Sequence, residues 1–276
     1  MQKPNGIKPE THYHSNPTLE NQNNIFILAL RNAIKKNLLS VQYQPRYDVL
    51  DGCSYTLEAL VRWPNNASST LQPESFLNVA IKHGLIYTLD QSVFKKCCSD
   101  LIWFHKNIDK NIKIAVNISP MECESMHHIR KLINICESSG LSMNNFEFEI
   151  TEHTHINDYR KIKAFCNIMI ERGATISLDD FGTSFSPLSN LCELPISYIK
   201  IDKSFTDKIG YGGRSAILIK HLIKLAHEMD IKVVSEGIEH AYQRDYMIKI
   251  GCDQLQGYYM CKPLDPYSIS TRQMKM

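Results

Sequence analysis

What this 276-residue sequence has little of narrows what the chain can be. Its nine cysteines are odd in number and scattered, and none stands in a Cys-x-x-Cys pair. Cys97 and Cys98 are chain neighbours and do not easily bridge each other. That usage excludes a disulfide framework and fits buried thiols in a reducing compartment. An excess of one charge is also missing: the formal net charge is +2, so nothing biases the chain toward a nucleic-acid polymer or an anionic membrane. Long apolar runs are absent near the start, where the longest, Ile25 to Leu30, is far too short to span a bilayer. A basic-then-apolar leader layout is absent as well. The expectation is a cytoplasmic protein with no membrane span.

Residues 1–23 read as a flexible polar tail, with Pro4, Gly6, Pro9 and Pro17 and few apolar side chains. His12 and His14 lack a supporting cysteine or carboxylate cluster and read as exposed tail residues. From residue 24 to about 270 no break in composition marks a second domain. The 43% hydrophobic content suffices for one large core or two small ones.

Phe26, Leu30, Ile34 and Leu38 fall four apart and predict an amphipathic helix. Val41 to Tyr47 and Tyr55 to Val61 flank Leu50-Asp51-Gly52, a good hairpin turn. Pro73 opens a helix that should stop at Gly84, and another runs over about Ser92 to Phe104. An alternation of strand and helix then sets in. The strands are Ile112 to Asn117, Phe146 to Ile150, Thr175 to Leu178, Ser197 to Ile201, Ile231 to Val234 and a last one around Gln254 to Tyr258. The rhythm predicts parallel strands with helical crossovers. Eight strands in about 250 residues favour a closed barrel; an open sheet is the alternative.

Polar residues mark the ends of these strands. The apolar run Ala174 to Leu178 leads straight into Asp179 and Asp180, two bare carboxylates that demand a cation, because desolvating them unpaired costs several kcal/mol each. Glu58 lies in the second strand, Asn117 ends the third, and Glu149 lies near the end of the fourth with Glu152 just past it. Lys200 and Asp202 end the sixth, Glu236 follows the seventh, and Gln256 lies in the eighth. In a barrel these ends share one rim. Glu58, Glu149, Asp179, Asp180 and Glu236 would then face the single positive charge of Lys200, leaving a negative excess that two divalent cations would balance. Carboxylate, amide and water oxygens suit Mg²⁺ or Mn²⁺, and a two-metal site supports in-line phosphoryl displacement. The competing reading is a set of separate strand-end caps and surface ion pairs.

The segments Glu58-Ala59-Leu60-Val61-Arg62-Trp63, Asn117-Ile118-Ser119-Pro120, Glu149-Ile150-Thr151-Glu152, Asp179-Asp180-Phe181-Gly182-Thr183, Lys200-Ile201-Asp202, Glu236-Gly237-Ile238-Glu239 and Gln256-Gly257-Tyr258 occur in this order. Together, with Tyr43-Gln44-Pro45 before them, they resemble the EAL-domain family of bacterial cyclic di-GMP phosphodiesterases over roughly residues 25 to 267. The resemblance implies a modified TIM (β/α)8 barrel with an antiparallel first strand, and two Mg²⁺ or Mn²⁺ ions per active site. It implies that Glu58, Asn117, Glu149 and Asp179 hold one metal. Asp179 would bridge to the second, with Asp180 beside it and Glu236 completing that side. Lys200 would contact the attacking water, and Gln256 would hold water or substrate. Arg62 would meet a substrate phosphate, with Gln44 also at the substrate. Glu152 would brace the loop after Asp180 and couple it to a homodimer interface. The implied reaction opens cyclic di-GMP to linear pGpG.

The chain departs from the family pattern at Thr183-Ser184-Phe185-Ser186-Pro187, usually Thr-Gly-Tyr-Ser-Ser. Ser184 makes any positive φ there costly, and Pro187 removes a backbone donor. Ser197 replaces a usual aspartate and Ile81 a common glutamate. None of these is a metal ligand, so they bear on loop control, dimer coupling and turnover rate. A non-hydrolytic cyclic di-GMP receptor or a protein-interaction module on the same barrel are the alternative functions. His153 and His155 read as exposed loop residues, Tyr258 and Tyr259 as core aromatics near the barrel mouth. Ile217, Leu218, His221, Leu222 and Leu225 read as the packed face of a helix.

Overall fold

The computed structural model describes residues 17–66, 69–151, 159–182, 189–209 and 213–276. The elements run α1 Pro17–Lys35, β1 Ser40–Asp48, β2 Ser54–Asn66, β3 Ser69–Leu71, α2 Pro73–Lys82 and α3 Ile86–Asn107. Next come β4 Lys113–Ile118, α4 Pro120–Cys123, α5 Met126–Ser138, β5 Phe146–Thr151, α6 Tyr159–Glu171 and β6 Thr175–Phe181. Then follow α7 Ser189–Glu193, β7 Tyr198–Ile201, α8 Lys203–Thr206, α9 Arg214–Glu228, β8 Lys232–Ser235, α10 Ala241–Lys249 and β9 Gln254–Leu255.

The sheet runs β1-β9-β8-β7-β6-β5-β4-β2-β3, and a further pairing of β1 with β2 closes it on itself. Eight strands therefore form a barrel, and β3 is an extra strand on the end of β2. β1 is antiparallel to both its neighbours, β2 and β9, while β2, β4 and the strands through β9 run parallel. The hairpin between β1 and β2 turns at Leu50-Asp51-Gly52 as expected. Gly52 has φ +68°, and the Asp48 and Asp51 carboxylates accept from the Leu50 and Cys53 amides.

Strand parity sorts the side chains. On β5, Phe146, Phe148 and Ile150 pack with the helices in the main core, and the alternate residues Glu147 and Glu149 take the opposite face. On β6, Ile176 and Leu178 go outward and Ser177 and Asp179 inward; on β7, Ile199 and Ile201 oppose Tyr198 and Lys200. The barrel interior is therefore polar at this end, and the apolar core lies between strands and helices. A second apolar cluster, with Leu30, Trp63, Phe76 and Leu89, seats α1, α2 and α3 against β2.

Several expectations are corrected. α1 starts at Pro17, within the stretch read as a tail, because proline at a first helical turn costs nothing. β3 carries no alternation long enough to be seen in the sequence. α9 buries Ala216, Ile219, Ile223 and Ala226, whereas Ile217, Leu218 and His221 are exposed and Leu222 and Leu225 half-buried. Two overlapping stripes satisfy the helical period there, and packing selected the one with smaller residues. Tyr258 and Tyr259 are exposed, not core, with Lys262 and Arg244 lying over their rings. His12, His14, Glu152, His153, His155, Ser184, Phe185 and Pro187 lie outside the described residues.

Candidate active site

Lys200 Nζ lies at the centre of the site and is fully buried. It is 2.8 Å from Glu149 Oε2, 2.8 Å from Glu236 Oε1, 3.2 Å from Asp179 Oδ1 and 3.7 Å from Glu58 Oε2. Four carboxylates, three from the strands β2, β5 and β6 and one from the residue after β8, thus meet at one ammonium. Strand register explains the meeting: Asn117 pairs with Glu149, and Thr151 pairs with Asp179, at the same end of parallel neighbours.

Asp179 and Asp180 are adjacent, and on a regular strand they would face opposite sides. The β6–β7 ladder shifts between Leu178 and Phe181, and Asp180 takes φ +55°, a left-handed conformation that Asp tolerates better than most residues. The irregularity gathers Asp179, Asp180 and Glu236 so that one ligand atom from each lies within 4.8 Å of the others. The Asp180 amide donates to Asp179 Oδ1 at 2.9 Å.

The opposite flank is amide-rich. Asn117 Nδ2 donates to Glu58 Oε1 at 3.3 Å, and Gln256 Nε2 to Glu58 Oε2 at 2.5 Å. Gln256 Oε1 is buried with no hydrogen-bond partner. Gln44, expected at the substrate, is buried: it donates to the Cys261 carbonyl and accepts from Gln256. Gln256 reaches the cluster because Gly257 allows a close backbone approach. A Cβ there would lie 2.1 Å from the Ile238 carbonyl oxygen, and the Ile238 amide donates to the Gln256 carbonyl. Arg62 is outside the Lys200 cluster, four residues beyond Glu58 on the same strand face, about 13 Å farther along. It is half-buried and bonds Gln42 and the Val61 carbonyl.

Arg46 and Glu147 were not singled out from sequence. Arg46, 2% exposed, grips Glu147 through both terminal nitrogens at 2.8 and 2.5 Å and reaches Glu149 at 3.5 Å. The pair fills the barrel below the carboxylates, and the guanidinium lies 5.1 Å over the Tyr198 ring. The period-two spacing of Glu147 and Glu149 was the available signal.

Arg46 is taken up mainly by Glu147, which leaves Lys200 as the principal counter-charge to the other carboxylates. Burial, opposed by Lys200 and reinforced by Asp179 and Glu58, raises Glu236 to about 8. Burial also pushes Glu149 well above the usual carboxylate range, while Lys200 is held well above that of lysine by Asp179, Glu149 and Glu236 against its own burial. The site carries more negative charge than one lysine compensates. All the donors besides Lys200 are hard oxygens, and one of them, Gln256 Oε1, is buried and unpaired. This donor set fits divalent cations of the magnesium and manganese kind. A cavity of about 620 Å³ opens on Glu58, Asn117, Asp179 and Asp180.

The profile of the EAL domain family matches residues 27–263. A cyclic di-GMP phosphodiesterase, NbdA of Pseudomonas aeruginosa, is 31% identical over 235 residues, which are 85% of this chain and 30% of NbdA. An uncharacterized signaling protein of Caulobacter vibrioides is 35% identical over 234 residues, 85% of this chain and 28% of that protein. The chain thus spans less than a third of the length of these relatives. Among solved structures, the PaMucR phosphodiesterase in complex with c-di-GMP superposes with a TM-score of 0.82 at 28% identity, covering 88% of this chain and 99% of that one. The EAL enzyme Bd1971, bound to cAMP and cyclic di-GMP, gives 0.84 at 26% identity over 91% of this chain and 68% of that one. With the barrel, its reversed first strand and the ordered carboxylate motifs all in place, the chain belongs to the EAL domain family.

Proposed function

We propose that this protein is a cyclic di-GMP phosphodiesterase that hydrolyses one phosphodiester to give linear pGpG. The observation that carries this reading is the convergence of Glu58, Glu149, Asp179 and Glu236 within 3.7 Å of Lys200 Nζ. Two divalent ions, Mg²⁺ or Mn²⁺, would be held by Glu58, Asn117, Glu149 and Asp179 on one side and by Asp179, Asp180 and Glu236 on the other. When bound, they would supply charge stabilisation at the phosphate and a water nucleophile at neutral pH.

The remaining work falls to the chain. Lys200, fixed by its carboxylates, donates to the attacking water and holds its lone pair toward phosphorus. Glu236, whose ionised form bound cations would favour, takes the water proton. Water oxygen bonds to phosphorus, the P–O3′ bond breaks, and the 3′ oxygen takes a proton from solvent water as it leaves. Gln256 Oε1 accepts from a second water or the substrate. Arg62, beyond the rim on the Glu58 face, grips a phosphate through its fork. Glu152 would couple the loop after Asp180 to a homodimer interface, and the cytoplasm is the expected location. Among the described residues no helix is long and apolar enough to cross a membrane.

The retained ligand set favours the enzyme over a non-hydrolysing receptor or an interaction module. Incubation of the purified protein with cyclic di-GMP and Mn²⁺, followed by chromatography, should yield pGpG. Tight binding with no product would establish the receptor reading instead.

A further inference from the structure

We infer that Asp90, Glu122 and His128 form a second cation site, for a divalent transition metal of the zinc class, separate from the carboxylates around Lys200. Asp90 comes from α3, Glu122 from α4 and His128 from the first turn of α5. One ligand atom from each lies within 4.8 Å of the others. Glu122 and His128 are each 1% exposed.

Two features set this cluster apart from an ordinary buried ion pair. First, His128 Nε2 and Glu122 Oε1 face each other at 3.1 Å as an ion pair, and neither atom finds a well-aligned hydrogen bond. Burying poorly bonded polar atoms costs free energy. The spacing suits a shared ion, because two ligands each about 2.0–2.1 Å from a tetrahedral zinc lie roughly 3.3 Å apart. Second, no lysine or arginine among the described residues pairs with either carboxylate. Burial, then the Glu122 carboxylate beside it, pushes Asp90 well above the usual carboxylate range. Without a cation the pair accommodates its charge by holding a proton, which a metal ion would displace.

The surrounding contacts orient the donors. The Ser119 amide and hydroxyl both donate to Glu122 Oε2, at 3.0 and 2.8 Å, leaving Oε1 to face His128. The Tyr87 ring meets the His128 ring edgewise at 5.3 Å. Gln91's amide lies 3.4 Å from His128 Nδ1. An amide flip would let its oxygen accept from Nδ1–H, as a metal-bound imidazole requires. Imidazole with two carboxylates is a mixed donor set that favours Zn²⁺ over Mg²⁺. All three residues also line the cavity that carries Asn117 and Asp179, so water has access to complete the coordination.

The test uses the full chain with the Lys200 cluster disabled by Asp179→Asn and Glu236→Gln. After chelator treatment, zinc is titrated against a chromophoric chelator, and metal content and melting temperature are recorded. One Zn²⁺ should bind and raise the melting temperature. Adding His128→Gln, or Asp90→Asn should the first variant not fold, should weaken binding by more than the ~10–100-fold that loss of an outer-sphere partner costs. If the doubly substituted protein itself does not fold, comparing zinc bound by the wild type and by His128→Gln reads the same difference. Zinc binding that is absent, or unchanged by both substitutions, would overturn the inference and leave a structural triad joining α3 to α5. Cyclic di-GMP turnover does not enter the measurement, so failure of the proposed activity would leave this result standing.

Discussion

Replacing Lys200 by methionine removes the one ammonium that four carboxylates face at 2.8 to 3.7 Å. The side chain is fully buried, so water cannot take over its role. Removing one partner of a buried ion cluster costs about 3–5 kcal/mol. For a chain of this size, at about 2–4 °C per kcal/mol, that is a loss of roughly 6–20 °C in melting temperature. The loss should depend on pH with a definite sign. Glu149 and Glu236 already lean toward their protonated forms, Glu236 with a value of about 8. Near pH 6 Glu236 holds its proton and the lysine is partly dispensable; near pH 9 Glu236 is ionised and the loss is felt more fully. Saturating Mn²⁺ should restore most of the stability at high pH, because binding to the folded state alone stabilises it. Turnover should fall by about 10²–10⁴-fold while cyclic di-GMP affinity stays close to wild type. The assay is thermal melting of wild type and Lys200→Met at both pH values, with and without Mn²⁺, alongside product chromatography. An equal melting loss at both pH values that Mn²⁺ leaves untouched would refute the charge argument. An equal loss of binding and turnover would reassign Lys200 to substrate binding.

Glu58→Ala removes the acceptor of both Asn117 and Gln256, and pGpG formation should become undetectable by chromatography; wild-type turnover would count against the metal assignment. Metal affinity should rise with pH up to about 8, since Glu236 must lose its proton to ligate, with proton release seen by calorimetry in buffers of different ionisation enthalpy. In the metal-free protein the same raised value contributes stability at acid pH that fades as pH climbs through about 8, measurable by denaturant titration. Arg62→Ala should raise KM by roughly 10–100-fold, the loss of one charge-assisted contact, with kcat largely kept. Gly257→Ala places a Cβ 2.1 Å from the Ile238 carbonyl oxygen and should lower both melting temperature and turnover by shifting Gln256; an unperturbed variant would show that the backbone there yields easily.

The polar residues that matter here were readable because each interrupts an apolar strand near its C-terminal end. Period-two alternation assigns Glu58, Glu149, Asp179 and Lys200 to the face opposite Leu57, Ile150, Leu178 and Ile199. The hairpin at Gly52 was readable for a local reason as well, since its turn chemistry lies within a few residues. Arg46 with Glu147 was harder to see, because a buried pair joins residues 101 apart and neither is unusual in its own segment. Asp90, Glu122 and His128 share that difficulty, coming from three helices with no common motif. The packed face of α9 was misread because local periodicity allows two stripes and only the neighbouring strands choose between them. Tyr258 and Tyr259 were misplaced because a short segment after a strand carries no periodicity to orient them.

The amino-acid order by itself determined which chemical groups stand at the strand ends and in what succession, because side-chain type and strand parity are local properties. Tertiary structure alone decided that β1 closes against β9, which brings Gln44 and Gln256 to the carboxylates. It alone decided that the ladder irregularity at Asp180 turns two neighbouring aspartates toward Glu236. Those outcomes depend on hydrogen bonds and charges between segments as much as two hundred residues apart, and no local window of sequence contains them.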